Sequence, residues 1–130
     1  MNQETIDLLV HHFNFSLAKR TFLSSVKAVY KECGLNLNLR KGQKKDSFTL
    51  SITDEQTGIT IKATAEKFET FGIPVVTDHE AALSFKQRLA AAHSVLSQLR
   101  FAQRLKDQIK IAYGDAVVKF LFTNPFVDNQ

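Results

Sequence analysis

Four histidines, one cysteine and a pair of adjacent carboxylates are the residues of this chain that could do chemistry, and their spacing limits what that chemistry can be. His11 and His12 are neighbours. On a helix their side chains leave the axis about 100° apart, so they cannot clamp one metal ion from one face. His79 and His93 stand alone in the sequence, and Cys33 falls where an apolar helical face meets Gly34. A metal site needs three or four convergent ligands, and these positions do not supply them.

Nucleophile and phosphate-cradling motifs are missing as well: the chain has no G-x-S-x-G, no G-x-x-x-x-G-K-[ST], no G-x-G-x-x-G and no H-E-x-x-H. Asp54 and Glu55 sit in an expected hairpin turn, where solvent would keep their acidity ordinary. Paired acid and base roles need a shared, partly buried site. The expectation is a non-enzymatic protein with no metal and no cofactor.

Cations remain. The formal net charge is +4 and the sequence pI about 9.3. Three groups carry the excess: Arg20, Lys27 and Lys31 on one stripe of an expected helix, Arg40, Lys41, Lys44 and Lys45 in an expected loop, and Arg100, Arg104 and Lys110 on a later helical stripe. Neutralising phosphates with such side chains releases counterions, and this drives binding to nucleic acid. Two of the groups converging would give an electropositive surface; scattered, they are solvated faces. The polar side of the expected sheet offers Asn, Thr, Ser and Lys rather than aromatic rings, so a base-stacking platform is not expected. The leading functional expectation is binding of nucleic acid or of a nucleoprotein assembly.

The elements that position these residues follow from periodicity. Ile6, Leu9, Val10 and Phe13 draw a helical stripe that Asn2 can cap. Asn14-Phe15-Ser16 breaks that pattern, and Ser16 is placed to cap a second helix running to Cys33, with Ala18, Phe22, Val26, Val29, Tyr30 and Cys33 on its inner face and Gly34 as its stop. From there the period switches to two. Leu35, Leu37 and Leu39, then Phe48, Leu50 and Ile52, then Ile59, Ile61, Ala63 and Ala65 alternate with polar residues. That is the pattern of a three-stranded antiparallel meander covered by helices on one side only. Asp54 to Gly58 supplies its second turn, and Ile73 to Val76 could form a short edge strand.

Thr77-Asp78-His79-Glu80 reads as a capping box that starts a long helix reaching Tyr113. Its first apolar stripe is Ala82, Phe85, Leu89, Ala92, Leu96 and Leu99; beyond Leu99 the apolar set moves to Phe101, Leu105, Ile109 and Tyr113. One flat surface cannot bury both halves. Either the helix bends near Leu99–Gln103 or it stays straight and its second half meets another partner, a second subunit included; no Pro or Gly lies between Asp78 and Tyr113, which favours the continuous helix. Phe101, Leu105, Ile109 and Tyr113 are therefore the expected interface of a dimer or protein complex, the alternative being that the N-terminal helix or Val117–Phe122 folds back over them within the chain. They also carry the alternative function, an adaptor, chaperone or inhibitor. Residues 115–122 suit helix or strand, with helix favoured because Asn124-Pro125 makes a stop.

The whole reads as one α+β domain over residues 1–130, two-layered, in the order α-α-β-β-β-α-α. Its 44% hydrophobic and 23% charged residues are those of an ordinary globular chain. No apolar run is long enough for a membrane span, and a lone cysteine without an export signal suggests the cytoplasm.

Overall fold

The computed structural model describes residues 2–16, 22–42, 47–66 and 79–123, apart from the side chains at 63–66 and 79. Within them run α1 (Gln3–Ser16), α2 (Phe22–Glu32), β1 (Leu35–Lys41), β2 (Ser47–Asp54), β3 (Thr60–Glu66), α3 (His79–Gln98), α4 (Ala102–Tyr113) and α5 (Asp115–Phe122). The strands form one antiparallel sheet in the order β1-β2-β3. This is the expected α+β architecture, with one element more than expected after the sheet.

Asn2 caps α1 as its position suggests: its side-chain oxygen accepts the Thr5 N–H and the Thr5 hydroxyl, each at 2.9 Å. Ile6 and Phe13 are buried, with Leu9 and Val10 packed beside them. The helix continues through Ser16, so Ser16 belongs to α1 instead of opening α2. In α2, Val26, Val29 and Tyr30 are wholly buried. The helix stops at Gly34, whose φ of 82° suits a residue without Cβ and whose N–H donates to the Lys31 carbonyl at 3.0 Å.

Register then fixes the two faces of the sheet. Leu37 pairs with Ile52 and Ile52 with Ile61, and all three are buried toward the helices. Each such side chain, fully buried, contributes on the order of 1.5–3 kcal/mol. Strand β1 extends through Lys41, so Arg40 and Lys41 are strand residues and not loop residues as expected. At the second turn the Asp54 N–H donates to the Ile59 carbonyl at 2.7 Å, the Gly58 N–H returns to the Asp54 carbonyl at 2.8 Å, and Gly58 takes φ 76°.

The expected continuous helix is two helices. At the corner the side-chain oxygen of Asn14, from α1, accepts the Arg100 N–H at 2.8 Å. A side chain inserted into the helical ladder ends it without Pro or Gly. The chain restarts at Ala102, and the change of direction resolves the conflict between the two apolar stripes. Phe85, Leu89, Ala92 and Leu96 bury in α3, which packs mainly on α1 and α2, while Leu105 and Ile109 bury in α4, which packs mainly on α5. Helix α5 folds back on α4 and buries Val117, Phe120, Leu121 and Phe122. Residues 115–122 are thus helical, with Gly114 rather than Asp115 at the N-cap.

Ala18, Arg20, Lys44, Lys45, the edge strand at 73–76, the capping residues Thr77 and Asp78 and the stop at Asn124-Pro125 lie outside the described residues.

Candidate nucleic-acid interface

No described helix covers the other side of the sheet, although Ser47, at the end of that side next to Gly42, is buried. On it stand, in cross-strand rows, Asn36, Thr53 and Thr60; Asn38, Ser51 and Lys62; and Arg40 with Thr49. Asn36, Asn38, Arg40, Thr60 and Lys62 are exposed, and the β2 residues between them are half-buried by their neighbours. Thr53 and Thr60 share a hydroxyl hydrogen bond of 2.8 Å. Among the described side chains this face has two cations, no carboxylate and no aromatic ring. Strand spacing puts Arg40 and Lys62 about 12 Å apart, on either side of β2. Lys62 is not among the expected cations. Its signal is the alternation Thr60, Lys62, Thr64, which points to the polar side once the register is known.

Around this face the expected cations divide. Lys41, exposed, ends β1 opposite Phe48, and the Phe48 ring meets Tyr113 edge-on with centroids 5.2 Å apart. This contact brings the end of α4 to the same end of the sheet. Lys110, one turn earlier, pairs with Asp115 at 3.4 Å, both largely in solvent, where such a pair is worth little. Arg104 lies over the Phe22 ring at 5.8 Å, at the start of α2. Lys27 and Lys31 point from the side of α2 opposite its buried face, so they look away from the open sheet. Arg100 is exposed at the α3–α4 corner beside Asn14.

Comparison with protein-family models, with curated proteins and with solved structures found no match to this chain. Its chemistry has to be read from its own groups.

The expected partner interface is not a free surface. Leu105 is 0% and Ile109 1% exposed within the chain itself, and Phe101 and Tyr113 pack half-buried on the same core. The stripe expected to meet a second subunit is covered by α5 and its neighbours. Among the described residues, the large apolar side chains that do stand in solvent are Leu8 and Phe15 on α1, Leu83 on α3 and Ile111 on α4.

Two buried polar groupings brace the helical layer. Asp54 is wholly buried, contrary to its expected solvation. Burial alone would raise its pKa, but the Arg88 guanidinium, the Gln56 N–H and the Thr57 hydroxyl together bring it below the ordinary value. Arg88 also donates to the Gln56 side chain at 2.9 Å. Helix α3 is thereby clamped to the β2–β3 turn. The Glu55 N–H donates to the Gly34 carbonyl at 3.0 Å, which joins the same turn to the end of α2.

In the second grouping the Tyr30 hydroxyl donates to the Leu121 carbonyl at 2.8 Å and lies 3.1 Å from His93 Nε2. With its proton so committed, the tyrosine oxygen accepts from Nε2–H, which fixes the tautomer of a neutral imidazole. Burial holds the His93 pKa down to about 4 and raises that of Tyr30, so both are neutral at pH 7. Cys33 is buried and its thiol pushed up to about 11, chiefly by that burial, which leaves a poor nucleophile. No group of three or more His, Cys, Asp or Glu side chains able to hold a metal occurs among the described residues. Nor is any described helix long and apolar enough to cross a membrane.

Proposed function

We propose that this chain is a non-enzymatic nucleic-acid-binding protein that receives a sugar-phosphate backbone on the open face of its sheet. The observation that carries the reading is the pair Arg40 and Lys62, exposed on an uncovered face with only hydroxyl and amide side chains between them. Arg, Lys, Ser, Thr and Asn are the side chains that contact phosphate and sugar, and they position a backbone without reading bases. Lys41 adds an exposed cation next to Arg40 at the end of β1. Replacing Arg40 and Lys62 by Ala tests the reading, since removing one cation from a phosphate flattens the slope of log affinity against log salt by about 1. The double variant is expected to bind more weakly with a slope flatter by about 2, while Lys27→Ala with Lys31→Ala changes little. An unchanged slope in the first variant removes the sheet face from the account.

A second reading, a protein-docking surface, moves from α4 to α1. Leu8 and Phe15 are 66% and 76% exposed, two turns apart on the side of α1 opposite its buried face. The His11 ring lies between them, 6.2 Å from Phe15. Contiguous exposed apolar surface of this kind marks contact sites.

A further inference from the structure

Resting on the nucleic-acid reading above, we propose that the open sheet face takes an A-form duplex, double-stranded RNA, against its minor groove and without reading its sequence. Three features of the face lead there. The first is what it lacks: proteins hold single strands largely by stacking bases on aromatic rings, and no described side chain of this face is aromatic. A ligand whose bases are already stacked on each other needs no such platform.

Shape is the second. The outer strands lie about 10 Å apart and the exposed rows run about 13 Å along β1, so the face is broad, and apart from Arg40 and Lys62 its side chains are short. In B-form DNA the grooves are about 8 Å deep, and the minor groove is about 6 Å wide. Serine, threonine and asparagine on a sheet do not reach their floors. The minor groove of A-form RNA is wide and shallow, and a gently twisted sheet can approach it face on.

The third feature is chemical type. Phosphates alone would be met by cations, yet hydroxyls and amides outnumber the two cations on this face. Each of these groups both donates and accepts, which matches the ribose 2′-hydroxyl that A-form RNA displays in that groove. Arg40 and Lys62, on the two sides of β2, meet phosphates while Asn38 and Ser51 meet the sugars between.

The test measures binding of the full chain, by fluorescence anisotropy, to RNA and DNA duplexes of matched length and sequence, to one single RNA strand, and to an RNA duplex of unrelated sequence. The two RNA duplexes are expected to bind alike and about tenfold or more tighter than the DNA duplex, the factor that two or three hydrogen bonds to sugar hydroxyls supply. Asn38→Ala with Ser51→Ala is expected to lower RNA-duplex affinity and leave DNA-duplex affinity unchanged, with circular dichroism confirming the fold. Equal affinity for RNA and DNA duplexes, or preference for the single strand, overturns the A-form assignment. If that binding still weakens in Arg40→Ala with Lys62→Ala, the broader nucleic-acid reading stands. Binding to none of the four ligands overturns both.

Discussion

Acidification should destabilise this protein through His93, and the size of the effect follows from where the ring sits. An imidazole in the unfolded chain takes up a proton near pH 6.5, whereas in the fold burial lowers its pKa to about 4. Between those values the unfolded chain binds more protons than the folded one, so stability rises with pH across the window. The contribution is fully present above about pH 6.5 and is lost as the pH falls toward 4. At about 1.4 kcal/mol per pH unit, titration from pH 7 to about pH 4.5 should remove on the order of 2–3 kcal/mol. Protonation also puts a second proton on the ring, at Nδ1, while Nε2–H stays with the Tyr30 oxygen, and so places a charge in a largely buried group. Other groups titrate over the same range, so the measurement needs a reference. His93→Gln keeps an amide N–H for Tyr30 and does not titrate. Urea unfolding of both proteins at the two pH values isolates the ring, with wild type expected to lose about 2–3 kcal/mol more than the variant. Equal losses would refute the argument that burial keeps the ring neutral.

Leu105→Ala or Ile109→Ala, at positions buried within the chain, is expected to cost about 2–5 kcal/mol in urea unfolding. Leu105→Glu should give an insoluble or unfolded product, and a folded species of lower mass in sedimentation would restore the subunit interface. Arg88→Met leaves the buried Asp54 carboxylate uncompensated and should cost about 3 kcal/mol, with Asp54→Asn costing less in that background than alone, measured as a double-mutant cycle. Gly34→Ala has to adopt a positive φ of 82°, so a loss of about 1 kcal/mol or more is expected in thermal unfolding. Leu8→Ser with Phe15→Ser should change stability by no more than about 0.5 kcal/mol per site, since both side chains stand in solvent.

Local patterns in the sequence determine the elements of the sheet and most of the helices. Alternation at Leu35, Leu37 and Leu39 and at Leu50 and Ile52 needs only neighbours to be recognised, and the sheet buries Leu35, Leu37, Leu50 and Ile52 as that alternation requires. Gly34 and Gly58 mark turns because a positive φ is cheap for them wherever the chain goes next. The absence of nucleophile motifs and the identity of the cations are equally plain in the sequence. Tertiary structure decides which groups meet. The shift of the apolar stripe at Leu99 marks where the long helix changes partners, but that the chain bends there, with Asn14 accepting an N–H 86 residues away, is not carried by the periodicity of residues 79–113. Leu105 and Ile109 are legible as an apolar stripe, but the stripe does not say whether α5 or a second subunit covers it. Asp54 reads as a solvated turn residue until Arg88, 34 residues later, lies against it. Arg40 and Lys62 become one surface only through two successive strand registers. Side-chain period and turn chemistry are set by a few adjacent residues, whereas burial, pairing and charge convergence depend on packing between distant segments, and that is what the fold adds.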